Sequence, residues 1–491
     1  MRNYKKITIN SDSILLLFWS IAIALIVYFR NHSGFDHNKW YVEIALIAFI
    51  QLSLQFIFML KRSVKMYDFR LWFIVLSYLF MFGKQFLAAI LSDTRFNGVV
   101  IFQRLYDVDT MYHASLYIIL SIQAIFVGFF LTKEKSNYFT GVQDEPANNT
   151  LYITGLLLSV VSFACALITD ITNIITIQAS GRYADISGGI GLTDDFGLLF
   201  APSILHLFFS GKLSKKKCFI LLISISIYYV IVMALTGDRR YPIISIIVLC
   251  LAYMHIYNFR FKLKHFVYIV LSLIMLNFFV VLREIRQGNM VSLGVFISSY
   301  GLRLFDFSST LFETLNEFGT SFYTVCLGFM GFPTLFSFRY GCTLLSGIMG
   351  IIPLGPLYYN SQIYRYGRVV DTVNSYYGTH PGGSIFEDMY TNFSYCAYIF
   401  LIVFGYCGYK LIFKDINDNR KKMIRYYILF YALIHLCRSS FTEVIRTAVW
   451  GLFIPLFIYK LVSVKSKSVN SRKQSRSDFS GSFRRSRDMK W

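Results

Sequence analysis

Two side chains in the stretch 379–393 could exchange a proton with a bound substrate. The stretch carries the imidazole of His380 and the carboxylate of Glu387. Either group could act as a general base on a hydroxyl, since an imidazole ionises near neutral pH and a carboxylate can be adjusted to the same task by its surroundings. Ser384 lies three residues before Glu387, a spacing that is also typical of a capping box at a helix start. We therefore expect a helix start here, and we rank Glu387 first and His380 second as the catalytic base.

Seven arginines are candidates for binding a phosphate-containing anion. A guanidinium stays charged when it loses water, and its planar donors match two phosphate oxygens at once. The stretch Thr-Gly-Asp-Arg-Arg-Tyr-Pro ends at Pro242 and predicts a helix start, which itself favours an anion. For each single arginine the alternative is a local contact with a loop carbonyl or a carboxylate. The candidates are Arg239, Arg240, Arg283, Arg286, Arg303, Arg438 and Arg446.

Metal and cofactor signals are weak in this sequence. Asp107-Val-Asp109 offers two outward carboxylates, and Asp194-Asp195 is a similar pair. Two ligands are fewer than a divalent cation requires from a dedicated site. The sequence has no P-loop, no dinucleotide fingerprint, no His-Glu-x-x-His and no haem motif. We therefore expect a metal-independent reaction that uses no cofactor.

The elements that must position these residues are membrane helices. The 491 residues are 55% hydrophobic and 15% charged, against about 25% charged in soluble proteins. Apolar runs recur along the whole chain, each long enough to cross a bilayer core of about 30 Å. The composition excludes a soluble enzyme and predicts an all-α polytopic membrane protein with about twelve transmembrane helices. The predicted spans are 13–29, 41–60, 71–91, 113–132, 151–169, 197–210, 218–236, 242–257, 265–282, 392–409, 424–437 and 447–463.

Lysine and arginine divide unequally between the two alternating sets of loops. The set that includes both termini holds 21 Lys and 11 Arg, whereas the other set holds 14 Arg and a single Lys. The positive-inside rule places the first set, and hence both termini, in the cytoplasm. The net charge of +21 is explained in this way, and no basic face of a soluble module indicates nucleic acid. The arginine-rich side indicates an outward-facing site for an anionic ligand.

The spans divide the chain into four parts. Residues 1–282 hold helices one to nine, 283–391 form one large extracytoplasmic loop, 392–463 hold helices ten to twelve, and 464–491 form a basic tail. A loop of roughly a hundred residues is usually functional. The tail has too few apolar residues to fold and is predicted to be disordered near anionic lipid.

Apolar segments within the large loop allow two interpretations. Residues 300–318 predict an amphipathic helix in the membrane interface. Residues 321–337 and 342–359 are apolar but interrupted by proline and glycine. They either dip into the membrane against protein or form an extra pair of spans.

Two motifs and the overall layout resemble a known family. The motifs are Gly-Asp-Arg-Arg at 237–240 and Gly-Gly-Ser-Ile-Phe-Glu…Asn-Phe at 382–393, and the layout is many spans with a single large outward loop late in the chain. Together they resemble the bacterial O-antigen and capsular repeat-unit polymerases of the Wzy type. Ser394 follows the second motif where a smaller residue, often Gly, is expected.

The resemblance implies a C-type glycosyltransferase fold and an active site on the extracytoplasmic side of the bacterial inner (cytoplasmic) membrane. The donor would be a growing glycan on undecaprenyl diphosphate, and the acceptor a single lipid-linked repeat unit. The glycan would move as a block, as O-antigen or capsular polysaccharide is made. Implied partners are these two lipid-linked substrates, the lipid bilayer, a chain-length regulator and a flippase, and no nucleic acid.

The candidate residues suit that chemistry, but two other classes stay open. Guanidinium groups would stabilise the departing diphosphate, with the base on the opposite side of the reacting bond. An O-antigen ligase would share the fold and use lipid A as acceptor. A transporter or flippase of lipid-linked oligosaccharide would have charged residues within its spans and two similar halves. Lys84 is a charged residue within a predicted span, and no half-repeat is visible.

Overall fold

The computed structural model is almost entirely helical. It describes residues 11–96, 99–131, 138–139, 145–180, 192–236, 240–258, 312, 315–352, 358–379 and 381–485. The helices are α1 (Ser11–His32), α2 (Trp40–Lys61), α3 (Phe69–Leu91), α4 (Val108–Phe130), α5 (Asn149–Ser180), α6 (Leu192–Gly197), α7 (Phe200–Phe209), α8 (Lys215–Thr236), α9 (Arg240–Ile256), α10 (Phe322–Gly331), α11 (Cys342–Met349), α12 (Gln362–Gly367), α13 (Val369–Tyr377), α14 (Ile385–Phe393), α15 (Ala397–Ile412), α16 (Asn419–Ile434) and α17 (Phe441–Arg485).

Short irregular elements join the helices. A small antiparallel hairpin of β1 (Arg95–Phe96) and β2 (Val99–Val100) lies between α3 and α4. Single 3-10 turns precede α10, α15 and α17, at Gly319–Ser321, Ser394–Cys396 and His435–Cys437. Short 3-10 turns are common connectors at the ends of α-helices.

Nine segments within the described residues are long and apolar enough to cross a membrane, so the prediction of an all-helical polytopic membrane protein is confirmed. A tenth apolar helix, Tyr241–Ile256, is shorter. Every predicted span overlaps a helix except 265–282, which lies outside the described residues. The nine segments are Leu15–His32, Trp40–Lys61, Phe69–Leu91, Val108–Phe130, Asn149–Thr176, Leu192–Phe209, Lys215–Met233, Ile385–Ile412 and Phe441–Val464.

The helix α4 lies inside the bundle and α1 lies at its edge. The most apolar window of α4 is 83% buried within the protein, whereas that of α1 is 17% buried. On one side α4 packs closely against α15. A Cβ atom at Gly128 would lie 2.3 Å from the carbonyl oxygen of Ile402, and one at Gly405 would lie 2.5 Å from that of Ile125. Glycine on both helices therefore allows the two backbones to touch.

The apolar stretches of the predicted large loop form short helices where the structure describes them. Helix α10 continues without a break from the helical residues 315–318 and the 3-10 turn Gly319–Ser321. Helix α11 has 8 residues, about 12 Å at 1.5 Å per residue, which is less than half of a bilayer core and too short for a span by itself. Of the predicted interfacial helix, residue 312 and residues 315–318 are helical, and the rest lies outside the described residues.

Two boundaries differ from the sequence prediction. The span predicted at 392–409 begins at Ile385, because α14 precedes α15 with only a 3-10 turn between them. The helix α17 continues to Arg485, through much of the tail for which the sequence predicts disorder. Extending a helix that is already nucleated costs little, even for a polar sequence.

Candidate polar site at the start of α14

The structure describes some of the predicted site residues and not others. Glu387, Arg438 and Arg446 have described side chains, and Arg240 is the first residue of α9, as the Pro242 signal predicted. The predicted residues that lie outside the described part are His380, Arg239, Arg283, Arg286 and Arg303.

The carboxylate of Glu387 lies buried in the first turn of α14. The Ser384 hydroxyl accepts a hydrogen bond from the Glu387 backbone N–H at 3.2 Å, so the predicted helix cap is confirmed. The Glu387 residue is 1% exposed, and its Oε2 atom has no hydrogen-bond partner among the described residues. A buried carboxylate oxygen without a partner is unusual, because nearly all buried polar atoms are paired.

Hydroxyl groups surround this carboxylate. The Thr324 hydroxyl lies 3.0 Å from that of Ser384 and within interaction range of the Glu387 side chain. Tyr106 stacks on Tyr323 with ring centroids 4.4 Å apart, and its hydroxyl lies within electrostatic range of Glu387. Burial raises the pKa of the Tyr106 hydroxyl, which therefore remains a proton donor near neutral pH.

Several further buried polar atoms in this region have no hydrogen-bond partner among the described residues. They come from the turn before α10, from the first turn of α14 and from the loop before α17. Together with Glu387 Oε2 we call them the unpaired cluster; its atoms are Ser321 Oγ, Glu387 Oε2, Asp388 Oδ1 and Ser439 Oγ. Since an unpaired buried group costs about 1–3 kcal/mol, such a cluster indicates a place for water or a polar ligand.

The neighbouring carboxylate, Asp388, connects α14 to α17. Its Oδ2 atom accepts a hydrogen bond from the backbone N–H of Phe441 at 2.6 Å, and the residue is 0% exposed. A carboxylate at this point also meets the positive end of the α17 dipole. Asp388 therefore fixes the connection between α16 and α17 against the start of α14.

Arg438 lies in that connection, close in the chain to the Asp388 contact. The turn His435–Cys437 packs against α14, and Arg438 follows it directly. The guanidinium carbon of Arg438 lies 5.6 Å from the ring centre of Phe80 and 5.9 Å from that of Phe318. Contacts with aromatic faces help to position a guanidinium. Of the predicted cations with described side chains, Arg438 is the one brought to the region of Glu387.

Arg446 lies elsewhere, within the second turn of α17, whereas Arg438 precedes that helix. It forms an ion pair with Asp195, and the two side chains are 28% and 2% exposed. Its guanidinium carbon also lies 5.9 Å from the ring centre of Trp450. The sequence analysis gave a local contact with a carboxylate as the alternative to anion binding, and Arg446 makes such a contact. The Asp195 carboxylate is buried and needs a counter-charge.

Sequence reasoning did not select Lys84, Tyr106, Asp388 or His435. Lys84 is 4% exposed, and its ammonium donates to the carbonyl oxygen of Ile101 at 2.9 Å and to the Asn316 side chain. The sequence marked Lys84 as a charged residue within a predicted span, a signal typical of functional residues, but no role was assigned to it. No comparable signal marks Tyr106, Asp388 or His435, because their positions depend on contacts between residues that are distant in the sequence.

The weak metal signals have structural explanations where the chain is described. Asp107 is the N-cap of α4 and accepts a hydrogen bond from the backbone N–H of Thr110 at 2.9 Å. Asp195 pairs with Arg446. Among the described residues, no three His, Cys, Asp or Glu side chains are grouped as metal ligands would be.

A bundle of apolar helices with polar side chains buried among them defines a polytopic membrane protein. The family model for the O-antigen polysaccharide polymerase Wzy matches residues 9–468, and the chain therefore belongs to this family. It is a glycosyltransferase-type enzyme of polysaccharide biosynthesis, and the family implies polymerisation of lipid-linked repeat units. No curated protein and no solved structure matches the sequence.

Proposed function

We propose that this enzyme transfers a growing glycan as a block from undecaprenyl diphosphate to a lipid-linked repeat unit, without a metal. The oxygen of an acceptor hydroxyl attacks the anomeric carbon of the donor. The bond from that carbon to the diphosphate breaks, the hydroxyl proton moves to Glu387, and undecaprenyl diphosphate leaves. A general base of this kind contributes about 10²–10⁴ in rate.

The unpaired cluster is the observation that carries this proposal. The Oε2 atom of Glu387 is buried without a hydrogen-bond partner among the described residues, and the Thr324 hydroxyl interacts with the same side chain. An acceptor hydroxyl that donates to this oxygen would satisfy it, and neighbouring hydroxyls would orient the sugar. His380 stays the second candidate for the base, since its place is not described.

Guanidinium groups would supply the positive charge that the leaving diphosphate requires. Arg438 directly follows the turn His435–Cys437, which packs against α14, and its guanidinium contacts the rings of Phe80 and Phe318. The sequence adds Arg239 and Arg240 at the start of α9, together with Arg283, Arg286 and Arg303. Because guanidinium stabilises phosphate oxygens directly, no metal ion is needed in this scheme.

The direction of the helices supports an extracytoplasmic site. Helix α8 begins at Lys215-Lys-Lys, and α15 ends beside Lys410. The positive-inside rule assigns these ends, and with them both termini, to the cytoplasm. Glu387 lies at the opposite end of the Ile385–Ile412 segment, which would then face outward with the diphosphate headgroups.

The proposal is tested with purified enzyme in proteoliposomes and lipid-linked repeat units isolated from cells that lack the polymerase. The wild-type protein should produce a ladder of longer lipid-linked glycans, and Glu387→Gln should lower the initial rate about 10²–10⁴-fold. The matched control is Glu443→Gln, which removes the same charge from an exposed residue in the first turn of α17.

The same assay separates the other two classes. A ligase would form product only after lipid A is added as acceptor. A transporter would move repeat units between leaflets without lengthening them, and its loss would leave them in the cytoplasmic leaflet. A normal ladder from Glu387→Gln would contradict the role of this carboxylate.

A further inference from the structure

A buried arginine, Arg339, lies in the segment between α10 and α11. The residue is 5% exposed, and its Nε atom has no hydrogen-bond partner among the described residues. No carboxylate of the described residues forms an ion pair with it. A buried charge without a partner is unusual, because the loss of hydration must be offset by an opposite charge or by acceptors. Arg339 therefore calls for an anion that the described protein does not supply.

The two other buried arginines among the described residues show what is missing. Arg70 donates to both carboxylate oxygens of Asp68. The guanidinium of Arg420 donates to three backbone carbonyl oxygens. Both guanidinium groups are thus satisfied by the protein, as expected for arginines with a structural role. Arg339 is equally buried and has no such acceptors among the described residues.

Aromatic rings surround the Arg339 guanidinium. Its central carbon lies 4.0 Å from the ring centre of Tyr366, 5.5 Å from that of Phe332 and 6.0 Å from that of Phe336. The Tyr366 hydroxyl donates to the carbonyl oxygen of Phe338 at 3.2 Å, which orients its ring. Ring faces attract a cation, whereas the N–H donors of a guanidinium point outward in its own plane. The rings therefore help to position the group for an anion that approaches in that plane.

The backbone around Arg339 is bound to the end of α14. The backbone N–H of Arg339 donates to the carbonyl oxygen of Thr391 at 2.9 Å, and that of Tyr340 donates to Asn392 at 3.1 Å. The side-chain oxygen of Asn392 also accepts from the backbone N–H of Gly341 at 2.8 Å. Three hydrogen bonds thus fix the segment that carries the cation.

The end of α14 lies about one bilayer core away from the end of α15. Helix α15 and the 3-10 turn before it have 16 and 3 residues, together about 30 Å long, which matches the thickness of a bilayer core. Lys410 lies in the last turn of α15, whereas Thr391 precedes the 3-10 turn. Arg339, bound to Thr391, is thereby placed at the level of the lipid headgroups on the side opposite Lys410.

Exposed apolar side chains lie beside Arg339. Leu335 and Tyr340 are 50% and 78% exposed, and Tyr366, whose ring contacts the guanidinium, is also exposed. Tyrosine is enriched where a bilayer core meets its headgroups. A lipid phosphate suits both features, because its oxygens match the guanidinium and its chains cover the apolar residues. A soluble anion would offer the apolar residues nothing.

We propose that Arg339 binds the phosphate group of a membrane lipid. Two N–H donors of the guanidinium would bind two phosphate oxygens, while the rings of Phe332, Phe336 and Tyr366 hold the group in place. Bilayer phospholipids and polyprenyl diphosphates share this chemistry, and the tests below distinguish them. The proposal goes beyond glycosyl transfer and does not depend on Glu387.

The first test measures the thermal midpoint of the delipidated full-length protein in detergent, with and without dioleoylphosphatidylglycerol. The lipid should raise the wild-type midpoint by about 2–5 °C at about 100 times its Kd, and should not raise that of Arg339→Met. Without lipid, Arg339→Met should melt no lower than the wild type, because an apolar side chain removes an uncompensated buried charge. The matched control is Arg365→Met, an exposed arginine of α12, which should respond to lipid as the wild type does.

Variants that keep part of the site separate its components and remain usable if Arg339→Met fails to fold. Arg339→Lys keeps the charge but loses the planar donors, and should weaken lipid binding about tenfold. Tyr366→Leu removes the closest ring and should weaken binding about 3- to 30-fold, whereas Tyr366→Phe keeps the ring and should bind as the wild type does.

The second test identifies the lipid by competition against labelled phosphatidylglycerol bound to the wild-type protein. Displacement by undecaprenyl diphosphate at a low molar ratio assigns the site to the substrate lipid, and retention of the label assigns it to bilayer phospholipid; either result supports the proposal. Displacement by millimolar inorganic phosphate, an equal thermal shift in Arg339→Met and the wild type, or no shift in the wild type would overturn it. Since neither test requires glycan transfer, these outcomes leave the proposed function unaffected.

Discussion

Replacing Asp388 with Asn should lower the stability of the protein and leave the chemical step largely intact. The Asp388 carboxylate is 0% exposed and accepts from the Phe441 N–H at 2.6 Å. A hydrogen bond to a charged group is worth about 1.5–3 kcal/mol, and a neutral amide oxygen would keep about half of it. The favourable contact with the α17 dipole adds about 0.3–1 kcal/mol. The expected loss is therefore about 1–2.5 kcal/mol.

The neighbouring Glu387 provides the contrast, because its Oε2 atom has no partner among the described residues. Glu387→Gln removes no hydrogen bond from that atom and should change stability little, while the rate falls about 10²–10⁴-fold. Substitutions at these two adjacent acidic residues should therefore have different effects: the change at Asp388 lowers stability, and the change at Glu387 lowers the catalytic rate.

The assay heats each detergent-solubilised variant and measures the fraction that remains monodisperse, alongside the polymerisation rate at a temperature where all variants are folded. For a protein of this size, each kcal/mol should shift the midpoint by no more than about 2–4 °C. A loss of rate in Asp388→Asn at an unchanged midpoint would refute the reasoning and make Asp388 the base. Loss of both properties in Glu387→Gln would show that its carboxylate holds the fold.

Three further substitutions test the packing around the site. Gly405→Ala should cost about 1–3 kcal/mol, because its Cβ would lie 2.5 Å from a backbone oxygen of α4, and Gly408→Ala is its control with nothing within 4 Å; thermal midpoints compare them. Lys84→Met should cost about 1–3 kcal/mol by removing the charged donor of the Ile101 carbonyl, which would keep only the Tyr323 hydroxyl, and faster proteolysis of the loop before α4 would report it. Arg446→Gln should leave Asp195 without its counter-charge and lower the thermal midpoint by a few degrees, with the rate per folded molecule retained. A lower polymerisation rate at an unchanged thermal midpoint would instead indicate that Arg446 binds the diphosphate.

Hydropathy was sufficient to predict most of the membrane helices, because transfer of an apolar segment into lipid depends on composition rather than on partners. The extension of the predicted span at 392–409 back to Ile385 was missed because hydropathy depends on composition alone. The first turn of α14 carries Glu387 and Asp388, which lower the local hydropathy, yet both are buried against protein. Hydropathy measures contact with lipid and cannot detect a polar turn that other helices cover.

The site was predictable in part. The spacing of Ser384 and Glu387 was sufficient to predict the cap at the start of α14, because capping is a local interaction. The Asp388 contact joins residues 53 positions apart, and the second bond of Lys84 spans 232 positions. Such pairs depend on how the helices pack, and a single sequence carries no record of that packing.

The contrast between α1 and α4 has a consequence for how this sequence can change over time. Where a helix touches mostly hydrocarbon, as α1 does, any apolar side chain of similar bulk serves equally well, so substitutions there are close to neutral. Where a helix is enclosed by its neighbours, as α4 is, each substitution must fit a fixed space. Amino-acid substitutions should therefore accumulate at the periphery of the bundle, and sequence similarity between related proteins should be highest at its centre.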